Sequence, residues 1–206
     1  MAEGYKTVKG YGTDEIVIKK SRFIANVYPV TTEEEAVSRV LEIKKKYHDA
    51  RHSCFAYRIG KKGEYLKYSD DGEPQGTAGI PMLDILKGED ITDVVVIVTR
   101  YFGGILLGTG GLVRAYSQAA KAGLAAAETI QMTLYRLAEI LTDYSLHGKI
   151  QYMLLNKGCK ITDTVFTDKV KITAACPAED IENLEADVID ISQGKAEFSA
   201  GELFYG

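Results

Sequence analysis

Residues 93–127, DVVVIVTRYFGGILLGTGGLVRAYSQAAKAGLAAA, decide the fold: a β-branched run passes through a glycine-rich loop into an alanine-rich amphipathic segment. The unbroken valine and isoleucine run from Asp93 to Arg100 predicts a strand covered on both faces. A helix is predicted over Leu112 to Glu128, where Leu112, Ala115, Tyr116, Ala119, Ala120 and Leu124 recur at helical spacing. Between the two lie Gly103, Gly104, Gly108, Gly110 and Gly111. Glycine permits positive φ and leaves amide N–H groups uncovered, and a helix N-terminus carries about half a positive charge. Such a loop suits an anion.

The nucleotide motifs fail one by one. Gly103 and Gly108 have the Walker A spacing, but Thr109 and Gly110 stand where Lys and Ser/Thr are needed. Gly108 and Gly110 begin a dinucleotide loop, but Val113 occupies its third glycine position. What remains is the tetrapeptide Gly108-Thr109-Gly110-Gly111, with a second GxxG earlier at Gly76-Thr77-Ala78-Gly79. GxxG loops at helix starts can clamp a sugar-phosphate backbone. The structural alternative is that these glycines make tight turns and let the helix approach the sheet.

Other elements can be read on either side. Strands are predicted at 15–20, 22–30, 51–59 and 64–68, with helices at 32–47 and 80–86. Thr32 caps the first helix, Glu33 to Glu35 occupy its positive end and Lys44 to Lys46 its negative end. Beyond residue 130 the order is strand 131–142, helix 144–157, strand 160–166, strand 169–176, helix 177–191 and strand 195–204. This βαββαβ order is that of a ferredoxin-like unit. Pro177 suits a first helical position, and Gly158 lies just past the preceding helix. The expectation is an α+β protein of two domains, residues 1–130 and 131–206.

The chain has 206 residues, 46% of them hydrophobic, without a long apolar run or an N-terminal apolar leader. A cytoplasmic globular protein away from membranes is therefore expected. Cys54, Cys159 and Cys176 form no CxxC pair, which leaves reduced thiols and no zinc cluster. The net charge of −4 is uneven: residues 1–133 carry 18 Lys+Arg against 17 Asp+Glu, and residues 134–206 carry 7 against 12. Nucleic-acid binding thus stays open for the first part through a local basic patch.

Several side chains could carry chemistry. In RHSCFAYRIG, alternation puts His52, Cys54, Ala56 and Arg58 on one strand face and Ser53, Phe55, Tyr57 and Ile59 on the other. The first set predicts a partly wet face and a candidate binding surface. A Cys54 nucleophile with His52 as base lacks a third orienting group; a buried small hydrophobe is the alternative. Asp70, Asp71 and Glu73 could meet a Mg²⁺ ion shared with phosphate, or simply form a turn. Neither a metal nor a cofactor is expected. Arg100 ends a strand, and Arg114 stands in the first helical turn, where a cation is unfavourable without a partner. Tyr101 and Phe102 beside Arg100 could stack a base or be buried under the glycine loop.

HSCFAYRIG, YSDDGEPQGTAGIPML and VVIVTRYFGGILLGTGGLVRAYSQA, taken in order, resemble the IMPACT/YigZ family over about Ser21 to Ala127. The tail resembles the additional C-terminal domain of its bacterial members. This resemblance implies an N-terminal domain similar to domain 2 of ribosomal protein S5 and a C-terminal domain similar to a ferredoxin-like domain of elongation factor G. Eukaryotic relatives join the first module to a different domain and restrain a kinase of a translation initiation factor; without that domain, the role does not carry over. The reading that follows is a nucleic-acid- or ribosome-binding protein, with RNA or the ribosome as partner, acting in translation or its regulation, and not an enzyme. Its phosphate contacts would be Gly76, Thr77, Gly79, Arg100, Tyr101, Gly103, Gly104, Gly108, Thr109, Gly110, Gly111 and Arg114, with His52, Cys54, Arg58, Asp70 and Asp71 as a secondary surface. The alternatives are a small-molecule enzyme acting on a phosphorylated substrate and a protein-interaction module whose acidic C-terminal domain docks a partner.

Overall fold

The valine run is the middle strand of an antiparallel sheet with helices on both faces. A computed structural model describes residues 4–206. The backbone divides into two units, residues 5–131 and residues 132–206 with Gly4. The described residues are α+β, with two antiparallel sheets and five α-helices.

In the first unit the elements are β1 (Gly4–Val8), β2 (Gly12–Ile18), β3 (Ser21–Pro29), α1 (Glu33–Lys46), β4 (His52–Ile59), β5 (Tyr65–Ser69), α2 (Gly79–Gly88), β6 (Val94–Tyr101) and α3 (Thr109–Ala127). The sheet order is β2-β3-β6-β4-β5. Val94 to Val98 of β6 are fully buried, because α2 and α3 cover one face of the sheet and α1 the other. Alternate residues of β6 therefore feed two cores. Val94, Val96 and Val98 join the α2/α3 side, while Val95 and Ile97 join the α1 side. Thr32 caps α1 by accepting from the Glu35 N–H, with three glutamates in the first turn and three lysines in the last.

The second unit contains β7 (Thr129–Thr142), which begins just before the division, then α4 (Tyr144–Asn156), β8 (Lys160–Phe166), β9 (Val170–Pro177), α5 (Ile181–Ser192) and β10 (Glu197–Tyr205). Antiparallel pairing gives the order β10-β7-β9-β8. Ile140, Ile172, Ile150, Leu154, Leu184 and Val188 form the core between sheet and helices.

Three sequence expectations are corrected. Strand β1, with Lys6 bridging to Ile91, is absent from the pattern reading, since GYKTV has no clear alternation. Helix α3 starts at Thr109 and takes the second GxxG into its first turn, because the glycine N–H groups at a helix start need no intrahelical partner. Pro177 ends β9 in an extended conformation, and a 3-10 turn at Ala178–Asp180 precedes α5, so it is not a first helical residue. No helix among the described residues is long and apolar enough to cross a membrane.

Candidate nucleic-acid interface

The two GxxG loops are chemically unlike. In the first, Asp70 turns its carboxylate onto the backbone. Its Oδ2 accepts from the Gly76 N–H at 2.8 Å, and its Oδ1 accepts from the N–H groups of Ala78 and Gly79 at 3.0 and 2.8 Å. Burial pushes the Asp70 carboxyl up, yet the three backbone donors outweigh it and hold it below its ordinary value. Thr77 is buried and donates its hydroxyl to the Pro74 carbonyl. The anion at this helix start is the chain's own.

The second loop has no such guest. Gly108 is the N-cap of α3 at φ +71°, and the first turn contains no acidic residue and receives no side-chain cap. Gly108, Thr109 and Gly110 are exposed. A Cβ added at Gly110 would meet nothing within 4 Å, and its φ is not left-handed, so the fold does not require glycine there. Gly103 differs: a Cβ would fall 2.0 Å from the Lys20 carbonyl carbon, which makes it a packing glycine against the β2–β3 turn. Gly104 is exposed at φ +85°. Arg114 is exposed one turn into α3 and lines a 290 Å³ hollow with Ile18, Lys19, Leu107, Gly111 and Gln118. Among the described residues it has no acidic partner.

Beside this loop lies a cleft of 560 Å³, lined by Asp49, Ala50, Arg51, His52, Arg100, Tyr101, Phe102 and Leu106. The pairing of β3, β6 and β4 puts Phe23, Arg100 and His52 in one cross-strand row. Arg100 is 7% exposed. Its Nη1 donates to Glu73 Oε1 at 2.7 Å, and its guanidinium lies 5.5 and 5.6 Å from the ring centroids of Phe23 and Phe102. Glu73 Oε1 also accepts from the Tyr116 hydroxyl at 2.9 Å. Arg100 is thus held by an internal carboxylate, and only Nε is buried without a partner. Tyr101 donates its hydroxyl to Asp49 at 2.6 Å, a contact that, with burial, pushes the phenol up to about 12. Phe102 and Leu106 are exposed.

The predicted wet face of β4 is corrected. Cys54 and Ala56 are fully buried under α2 and α3, because the helices cover that side of the sheet. The Cys54 sulfur lies 2.9 Å from the Asp70 carbonyl and 3.4 Å from the Tyr116 hydroxyl, and burial pushes its thiol up to about 12. His52 contacts neither. Its Nδ1 is 2.9 Å from the Asp71 carbonyl, which can only accept, so Nδ1 carries a proton. No Cys–His pair forms. Asp71 spends its carboxylate on the Ser53 N–H and the Lys44 ammonium. Arg58 lies at the far end of β4, engaged with Asp90 and the carbonyls of Ile91 and Lys62, and does not join the others. No group of three or more His, Cys, Asp or Glu poised for a metal is found among the described residues.

Sequence reasoning named Glu73 only as a turn carboxylate and missed Arg51, Lys19 and Tyr116. Arg51 and Lys19 carry no motif. A tyrosine at helical core spacing gives no sign that its hydroxyl meets a buried glutamate from a distant loop.

Comparison with known proteins fits this organisation. Residues 19–124 match the Impact N-terminal domain, and residues 140–195 match a domain of unknown function, DUF1949. IMPACT family member YvyE of Bacillus subtilis is 38% identical over 205 residues, covering 100% of this chain and 94% of the relative. IMPACT family member YigZ of Escherichia coli is 36% identical, covering 90% and 92% of the two chains. A solved structure described as a hypothetical protein superposes with a TM-score of 0.60 at 33% identity, covering 98% of each chain. Identity at this level across nearly the whole of both chains, with the Impact N-terminal domain spanning strands β3 to β6, both glycine loops and the cleft just described, means that the chain belongs to the IMPACT family.

Proposed function

We propose that the protein binds RNA or the ribosome and acts in translation or its regulation. The observation that carries this reading is the contrast between the loops. One helix start is neutralised by Asp70, whereas the start of α3 offers open amides beside Arg114, which has no acidic partner among the described residues. Backbone donors and a nearby cation are the elements that hold phosphate. The neighbouring cleft adds Arg51, His52 and the exposed ring of Phe102, a combination that suits a base next to its phosphate. A likeness of the first domain, residues 1–130, to domain 2 of ribosomal protein S5 belongs to the same proposal. So does a ferredoxin-like second domain, residues 131–206, which the strand order β10-β7-β9-β8 with two helices supports.

In this proposal Gly108, Thr109, Gly110, Gly111 and Arg114 hold phosphate. Glu73 holds Arg100 at the wall of the cleft, and Asp70 occupies the first loop by accepting from Gly76, Ala78 and Gly79. In this reading the chain works by binding, and Cys54, buried in the core with its thiol pushed up to about 12, is no nucleophile. A single specific observation favours a phosphorylated small molecule instead: the cleft volume falls within the usual range for such ligands.

Fluorescence anisotropy with a short single-stranded RNA and with a structured hairpin, across a salt series, tests the proposal. Arg114→Ala is expected to weaken binding and to reduce the log–log salt slope by about one. Gly110→Ala is expected to raise thermal stability slightly, by about 0.5–1 kcal/mol, while weakening RNA binding by crowding the amides. Binding that is insensitive to salt, or unchanged in both variants, sinks the proposal.

A further inference from the structure

The second unit contains a pair of thiols that the proposed RNA surface does not use. Cys159 and Cys176 are both buried, and they belong to one hydrophobic cluster in its core. Their meeting is a consequence of register. Lys160 pairs with Ala175 and Ile161 with Ala174 across β8 and β9, so one step back along the antiparallel ladder brings Cys159 opposite Cys176.

The pair is also of the close type. The C-terminal turn of α4 takes the Cys159 N–H to the Leu154 carbonyl at 3.0 Å, with the Gly158 N–H going to Leu155. That N–H is therefore unavailable to Cys176, and the two residues cannot exchange the double backbone hydrogen bond of the wider site. Directly opposed residues lacking that exchange have Cα atoms about 4.5 Å apart, inside the range a disulfide accepts. Cys159 is flanked by exposed Lys157, Gly158 and Lys160, whereas Cys176 follows buried Ala175. One thiol thus sits at the rim and its partner behind it.

We propose that Cys159 and Cys176 form an oxidisable dithiol that a hydroperoxide converts to an intramolecular disulfide, joining the start of β8 to the end of β9. The Cys159 thiolate attacks one peroxide oxygen. The O–O bond breaks, the departing hydroxide takes a proton and leaves as water, and Cys159 becomes a sulfenic acid. The Cys176 sulfur then attacks the Cys159 sulfur, the S–O bond breaks, and the oxygen leaves with the Cys176 proton as a second water. Two sulfurs are each oxidised by one electron, and one peroxide is reduced to two waters. The neighbouring Cys176 thiol lowers the Cys159 thiol below its ordinary value, against the effect of burial, and Lys157 assists; the Cys159 thiol and burial raise Cys176. This order suits Cys159 as attacker and Cys176 as resolver.

The full chain, native and reduced, is exposed to a small excess of hydrogen peroxide, denatured in alkylating reagent and digested without reduction. The expected product is a loss of about 2 Da located in a peptide cross-linked between Cys159 and Cys176, with Cys54 alkylated and therefore reduced throughout. Dithiothreitol should restore both thiols. The same oxidation in denaturant should instead scatter the cross-links over all three cysteines. In Cys176→Ser, Cys159 should advance to sulfinic acid for want of a resolving thiol. Cross-links to Cys54 in the native chain, sulfinic acid at Cys159 in the unsubstituted protein without any cross-link, or three unreacted thiols would each overturn the proposal. Because mapping uses the unsubstituted protein, a variant that fails to fold leaves the answer intact.

Discussion

Arg100 shows how far one side chain can depart from the role its position suggests. At the end of a strand beside a glycine loop it reads as a phosphate ligand, yet its guanidinium faces Glu73 in a site where the two side chains are 8% and 3% exposed. Two charges so placed stabilise each other locally, but the pair is costly to desolvate, so its net contribution is small until one member is removed. Glu73→Ala is expected to lower unfolding stability by about 3–5 kcal/mol, the usual cost of leaving a buried charge unmatched. Urea titration at neutral pH measures it. A loss below about 1 kcal/mol would mean that water or a rearranged side chain replaces the carboxylate. Tyr116 shares Glu73, and burial together with Cys54 and Glu73 raises its hydroxyl well above the ordinary range, so it serves as a neutral donor.

Among the elements, the loop before α2 behaves as a cap supplied from a distance. Ala78 at the N-cap has no side-chain oxygen to offer, and Asp70, eight residues earlier, takes the orphan N–H groups. Because the Asp70 carboxyl is held below its ordinary 3.8, its contribution is fully present above that pH and is lost as pH falls through the lower folded value. Asp70→Ala is expected to cost about 1.5–3 kcal/mol at pH 7. The gap between parent and variant should stay constant down to about pH 5 and close below 3.8. Stability measured by denaturant at stepped pH checks this, and a gap that widens on acidification would contradict it. Helix α3 has the opposite character. Its first turn spends two glycines at positions where at least one, Gly110, has no steric reason to be glycine.

At the scale of the whole molecule, charge and packing separate the two units. Residues 134–206 hold the acidic excess, and the cleft, the open helix start and the exposed cations Lys19 and Arg114 lie within residues 5–131. If this surface binds RNA, Lys19→Glu with Arg114→Glu should remove most of the affinity, whereas Lys169→Glu with Lys195→Glu, an equal change in net charge, should leave it nearly unchanged. Filter binding at one fixed salt concentration compares the two. Equal losses would assign the effect to net charge and not to a site.

The sequence by itself determined most of the elements, the α+β class and the strand face to which each β4 and β6 residue belongs, because periodicity and capping act between neighbours in the chain. His52, Cys54, Ala56 and Arg58 do share one face, as their alternation requires. Whether that face was wet, which glycine loop was already occupied and where Arg100 found its counter-charge were decided by the tertiary structure alone. Those outcomes depend on α2 and α3 covering the sheet and on the segment 70–79 folding back across it, contacts between residues tens of positions apart. A local pattern records the donors and acceptors a segment carries; only packing settles which of them meet each other and which are left for a ligand.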